Sequence, residues 1–223
     1  MKISVIIPVY NGARHLRETL DSVFAQTLPP HEVIVVDDGS TDESPAILEA
    51  YGDRLRVFRQ ANQGVAAARN AGLLHVTGDA IAFLDQDDLW PAERNRIMAE
   101  ALAADPEVGV IIGQVEMLNQ ITVPRRVAWT METAPREILL GSQLFRPDVF
   151  ARVGNFSTKV GYGDDTDFLI RRGENKIGSK YVDAVTLVYR LHDHNTSHDD
   201  AVSRSHMITV FREALKRRRG RKA

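Results

Sequence analysis

Carboxylates that could work together gather at three places in the sequence. Residues 80–90 read AIAFLDQDDLW, an apolar run of β-strand character that delivers Asp85, Asp87 and Asp88 at its carboxyl end. Carboxylates are rarely buried unpaired, so this cluster must face a cleft, a cation or both. A second apolar run, Val33 to Val36, ends in Asp37 and Asp38, and a third group, Asp164, Asp165 and Asp167, opens a segment of helical pattern. Two aspartates spaced D-x-D at the end of a buried strand read as part of a metal and phosphate site. A calcium loop of the EF-hand kind is excluded, because Leu89 stands where its third oxygen ligand should be. His192, His194 and His198 lie close in sequence, but without cysteine or helical histidine spacing a zinc site is disfavoured.

The elements that must position these groups follow from periodicity. The run ISVIIPV from Ile3 reads as a strand buried on both faces and ends at the turn signal Tyr10-Asn11-Gly12. Leu16, Leu20, Val23 and Phe24 recur at helical spacing, stopped by Pro29 and Pro30. Ser44 before Pro45 reads as an N-cap with proline at the first helical position, and Gly52 as the stop. A short strand around Val57, an alanine-rich helix over residues 64–76 and the strand from Ala80 complete an alternating pattern, which implies a parallel sheet with right-handed crossovers. In such sheets the ligand crevice lies outside the carboxyl ends of the strands, where two of these strands place their acids. Beyond Pro91 the pattern gives a helix to about Ala104, a strand over 108–115, irregular or hairpin structure over 120–135, a short strand over 143–145 and a helix over 147–153. Gly161-Tyr162-Gly163 reads as a flexible loop into the acidic helix start. A strand over 184–189, a polar loop over 192–198 and a terminal helix over 203–219, with Met207, Val210, Phe211 and Leu215 on one face, follow it.

The 223 residues are 43% hydrophobic, enough to bury one sizeable core. Cysteine is absent, which rules out disulfides and thiolate metal sites. No apolar run approaches the length of about 18 residues needed to span a bilayer, and the amino-terminal run is too short and strand-like for a secretory signal. A cytoplasmic protein is expected. Net charge is −2, yet six of the last residues, from Lys216 to Lys222, are basic on an acidic body. That asymmetry allows peripheral contact with an anionic membrane face; the alternative is a solvated, frayed end.

Six motifs together resemble the inverting family 2 glycosyltransferases of GT-A fold. They are VIIPVYNG (5–12), VIVVDDGSTD (33–42), NQGVAAARNAG (62–72), FLDQDD (83–88), GDDTDFLIRR (163–172) and YRLHDHNTS (189–197), spread over most of the chain. The resemblance implies an α/β, Rossmann-like, mostly parallel sheet flanked by helices, with a smaller acceptor-side region. It implies one domain over residues 1–215: a nucleotide-binding half to about 115, an acceptor-binding half over about 116–200, and a terminal helix over about 203–215 before a basic tail at 216–223. It places Pro8, Tyr10, Asn11, Asp38 and Arg69 on a nucleotide-sugar, with Asp38 on the base and uridine favoured. Asp85 falls to the ribose or a metal-bound water, Asp87 to Mn2+ or Mg2+, with His192 a further metal ligand. Asp165 becomes the base that deprotonates the acceptor, and Asp164, where the family carries Glu, stands on the acceptor side.

The implied reaction moves a sugar from a nucleoside diphosphate sugar to the hydroxyl of a glycan or lipid-linked acceptor in cell-envelope polysaccharide or glycolipid synthesis. No nucleic-acid partner is expected. A non-catalytic nucleotide-sugar or glycan-binding module is the alternative. A sugar nucleotidyltransferase is disfavoured, because IPVYNGARHL lacks the glycine-rich, arginine-containing phosphate loop. Sugar, acceptor and oligomeric state stay open at the level of sequence.

Overall fold

A computed structural model describes residues 1–120, 137–193, 195 and 200–220, with only the backbone over 200–204. The expected irregular segment at 120–135 and the histidines His194 and His198 therefore fall almost wholly outside the described residues.

The centre is a seven-stranded sheet in the order β3-β2-β1-β4-β6-β5-β7. Strands β1 (Ile3–Val9), β2 (Glu32–Asp37), β3 (Arg56–Arg59) and β4 (Ala80–Phe83) are mutually parallel. Strand β6 (Gln143–Phe145) runs antiparallel to β4 and to β5 (Val110–Asn119), and β5 pairs in parallel with the long β7 (Ser179–Leu191). Every residue of β1 is buried, as its continuous apolar run requires. Ile3, Val5, Ile7 and Val9 enter one core with helix α1 (Leu16–Phe24), α2 (Ser44–Glu49) and α4 (Arg94–Ala103). Ile6 enters the opposite core beneath α3 (Val65–Leu73) and α5 (Asp148–Val153). Gly72 makes this second contact close: a Cβ there would sit 2.6 Å from Ile6 Cγ2.

Five phenylalanines, Phe83, Phe145, Phe150, Phe156 and Phe168, pack ring against ring in that second core. Phe168 belongs to α6 (Asp164–Glu174), so the cluster fixes the helix that carries Asp165. Burying one such side chain contributes about 1.5–3 kcal/mol. Helix α7 (Asp200–Gly220) then packs along α6.

Three expectations are corrected. Ser44 is already helical, and its Oγ accepts the Gly12 N–H at 2.9 Å rather than capping α2. The glycines at 161–163 form a 3-10 turn, Gly161–Gly163, because φ of +59° at Gly161 and close approach of Val210 to Gly163 both demand glycine. The terminal helix expected over 203–219 lies within α7. The buried face of α7 uses Val210 and Ala214, whereas Phe211 and Leu215 are exposed. No helix among the described residues is long and apolar enough to cross a membrane.

Candidate active site

Because β2, β1 and β4 are parallel neighbours, the loops after them open on one edge. After β1, Asn11 adopts a left-handed backbone (φ +49°), and its Oδ1 accepts the N–H of Thr41 at 2.8 Å while its own N–H donates to Ser40 Oγ at 3.0 Å. That knits the first loop to the second. The middle residue of D-x-D joins the first loop to the third: Gln86 Oε1 accepts the Tyr10 N–H at 2.8 Å, and Gln86 Nε2 donates to the Tyr10 carbonyl at 3.1 Å. Tyr10 leaves its ring half-exposed at the mouth, and Pro8 is buried in β1 opposite Val36.

Asp38 is 2% exposed and accepts three hydrogen bonds, from Gln60 Nε2 and the N–H groups of Gln63 and Gly64. Its carboxylate thus organises the loop that starts α3, with three of about four acceptor sites on a carboxylate taken. Asp37 accepts the Ser40 N–H and lies 3.4 Å from Arg59 Nε.

Strand β7 carries the D-x-D loop. Leu89 and Val188 exchange a pair of backbone hydrogen bonds, the Arg190 N–H donates to Asp88 Oδ1 at 2.9 Å, and Arg190 Nε donates to the Asp87 carbonyl at 2.8 Å. Side chains two apart on a strand share a face. His192 accordingly follows Arg190 and brings Nε2 to 3.0 Å from Asp87 Oδ2. Arg190 is itself fixed by Glu18 at 2.7 Å, and His15 stacks on the His192 ring at 4.8 Å. Burial, then the charges of Arg190 and His192, lowers His15 to about 4, so it packs as a neutral ring. Burial and the charges of Asp87 and Asp85 push the Asp88 carboxyl well above the usual range.

Arg69 joins the D-x-D loop to helix α6. Its Nη2 donates to Asp85 Oδ1 and its Nη1 to Asp164 Oδ2, both at 2.7 Å, and the side chain is almost wholly buried. Burial opposes its charge, but Asp85, Asp164 and Asp165 outweigh that and raise its pKa. The guanidinium expected on the nucleotide is therefore engaged by two carboxylates. Asp164, expected on the acceptor side, is 1% exposed and turned to Arg69. Burial raises its pKa against the opposing pull of Arg69. Asp85 keeps 43% of its side chain exposed, so its second oxygen remains available to a ligand.

Asp165, the next residue, keeps partial access to solvent. Burial and then the Asp164 charge push its carboxyl from 3.8 up to about 7, with Arg69 pulling the other way. A carboxyl with a pKa near neutrality suits proton abstraction at physiological pH. Asp167 does not cap α6; it is buried between Arg171 Nε at 2.7 Å and Arg217 Nη1 at 2.8 Å, and Arg217 also reaches Glu174 at 3.1 Å.

The donor chemistry fits a divalent cation. Asp87 and His192 converge from separate elements with Asp85 beside them, and a carboxylate plus an imidazole leaves the remaining positions to phosphate and water oxygens, a set that suits Mn2+ well and Mg2+ less. No group of three or more protein ligands is assembled among the described residues, so such a cation would depend on its substrate for the rest. Sequence reasoning missed Arg190, Gln86 and Glu18. The two-residue spacing of Arg190 from His192 was the available signal, whereas nothing local marks Gln86 or Glu18.

A family model, Glycosyl transferase family 2, matches residues 4–173. An uncharacterized glycosyltransferase of Rickettsia typhi is 29% identical over 210 residues, 87% of this chain and 65% of that protein. Among solved structures, S. aureus TarS 1-349 in complex with UDP-GlcNAc superposes with a TM-score of 0.70 at 24% identity, over 89% of this chain and 60% of that one. The mannosyltransferase PcManGT of Pyrobaculum calidifontis, in complex with GDP-Man and Mn2+, gives 0.70 at 24% identity, over 96% and 64%. At those identities the likeness speaks for the fold. The chain spans no more than about two thirds of the length of the first curated relatives it matches.

Proposed function

The chain belongs to glycosyl transferase family 2 and has the mixed α/β GT-A architecture, and on that premise we propose that it is an inverting, metal-assisted glycosyltransferase using a nucleoside diphosphate sugar. The observation that carries the reading is the single edge on which Asp87 with His192, and Arg69 with Asp85 and Asp164, bring the D-x-D loop up to Asp165. A UDP-sugar is the leading donor, since Asp38 retains one acceptor for a ring N–H and a solved relative of the same fold holds UDP-GlcNAc.

In this reading Tyr10 and Asn11 line the base and ribose pocket, and Asp38 fixes its floor. Asp85 meets the ribose or a bound water with the oxygen that Arg69 leaves free. Asp87 and His192 would hold Mn2+ or Mg2+; when bound, that cation offsets the charge of the departing diphosphate. Asp165 takes the proton from the acceptor hydroxyl as that oxygen attacks the anomeric carbon from the face opposite the diphosphate. One carbon–oxygen bond forms, the bond to the diphosphate breaks, and the configuration inverts without a covalent glycosyl-enzyme. Arg69 keeps Asp85 and Asp164 in place, so that donor and base are held in one geometry.

Calorimetry against a panel of nucleotide sugars with Mn2+, followed by donor-hydrolysis and transfer assays, tests the proposal. Tight, metal-dependent binding of one donor with turnover is expected. Binding without turnover for every donor and acceptor would mark a binding module instead.

A further inference from the structure

Helix α7 presents one face to the protein and leaves the other without a partner among the described residues. Inward, Val210 and Ala214 are buried, and Arg217 is held by Asp167 and Glu174. Outward, Ile208, Phe211 and Leu215 are 59%, 54% and 55% exposed. Their spacing of three and four residues lines them up along one side of the helix. At about 100° per residue, Arg212 and Arg219 border this row on one side and Arg218 on the other, and all three are exposed. Lys216 shares its charge with Glu213 at 2.6 Å, but no carboxylate pairs with Arg212, Arg218 or Arg219 among the described residues.

The geometry points to this outer face as a docking surface for an anionic lipid bilayer. Single exposed apolar residues are ordinary on a protein surface. Three in one row, flanked by unpaired cations on a helix of 21 residues, form a combined pattern. Helices that lie in the membrane interface have this arrangement, with apolar side chains entering the acyl boundary and arginines meeting anionic headgroups. A nucleic-acid surface would use the cations and have no use for Phe211 and Leu215. The inner face is already clamped to α6, so the outer face is preformed and docking need not first order the helix. His206 and Val210 of α7 abut the Gly161–Gly163 turn that leads into Asp164 and Asp165. If the site works as proposed above, docking brings its acceptor end close to the bilayer, where a lipid-linked acceptor would be presented.

The test is co-sedimentation of the full 223-residue chain with vesicles of neutral phosphatidylcholine or of phosphatidylcholine with about 30% phosphatidylglycerol, at low and high salt. Expected is at least a tenfold preference for the anionic vesicles that weakens with salt. The triple variant Ile208→Ser, Phe211→Ser, Leu215→Ser should lose binding about tenfold or more while keeping its circular dichroism, melting temperature and nucleotide-sugar binding. The proposal is overturned if the wild type ignores anionic vesicles, or if the triple variant binds them as the wild type does. It is also overturned if the row instead closes a dimer that the same substitutions dissociate, or if duplex nucleic acid is bound in preference to vesicles. None of these outcomes depends on catalysis, so failure of docking is distinct from failure of the proposed activity.

Discussion

Asp165→Asn removes the proposed base and almost nothing else, since it swaps one carboxylate oxygen for an amide of similar size. Burial and Asp164 raise the carboxyl from 3.8 to about 7. Below pH 6 the wild type should hold less than about a tenth of its base ionised, so kcat/KM should rise about tenfold per pH unit and level off above pH 7. The variant should lose about 10²–10⁴ in kcat/KM, show no such rise, and bind donor with its affinity unchanged. Stability gives a second readout with a defined sign. The folded state holds this proton more tightly than the unfolded chain, so the contribution is present below about pH 4 and is lost as pH rises through 7. A shift of about three pH units corresponds to about 4 kcal/mol, and the partial exposure of Asp165 reduces this to about 2 kcal/mol. Urea titrations should therefore find the two proteins alike near pH 4 and the variant more stable by about 2 kcal/mol at pH 8. Transfer by the variant within threefold of the wild type, or a wild-type rate flat from pH 6 to 8, would refute the reasoning.

Three further substitutions probe the groups around that base. Arg69→Ala leaves Asp164 buried without its partner and should cost about 3–5 kcal/mol in chemical denaturation, together with most of the activity. Asp87→Ala or His192→Ala should weaken Mn2+-dependent donor binding by about 10–100-fold in calorimetry, with little change in metal-free nucleotide binding. Arg217→Ala removes one of two partners of Asp167 and the contact with Glu174, and should cost about 1–2 kcal/mol in a urea melt while lowering kcat more than it raises KM.

The strands that build the crevice were legible because buried parallel strands read as unbroken apolar runs. β1, β2 and β4 announce both themselves and the acids that end them. β6 was legible as a strand but not as an antiparallel insertion between β4 and β5, since three residues carry no record of their neighbours. The same limit applies to Arg69: its partner Asp164 lies 95 residues away, and only the folded chain shows that the guanidinium is engaged between the D-x-D loop and helix α6. Helix α7 shows hydrophobicity misdirecting the reading of a face. Phe211 and Leu215 are among its larger apolar residues, yet the seam against the turn at Gly161–Gly163 is narrow and accepts Val210 beside His206. What holds the D-x-D loop was hidden for a different reason, because Gln86 and Arg190 act largely through backbone groups, which leave no residue pattern.

The central claim is that one crevice holds the diphosphate through Asp87 and His192 and presents it to Asp165. A crystal structure with UDP and Mn2+ tests it most directly. The account predicts anomalous manganese density about 2.1 Å from the Asp87 carboxylate and the His192 imidazole, with the diphosphate bound to it on the edge shared with Asp165. Nucleotide and manganese seated away from Asp87 and His192, or on an edge that Asp165 does not share, would contradict it.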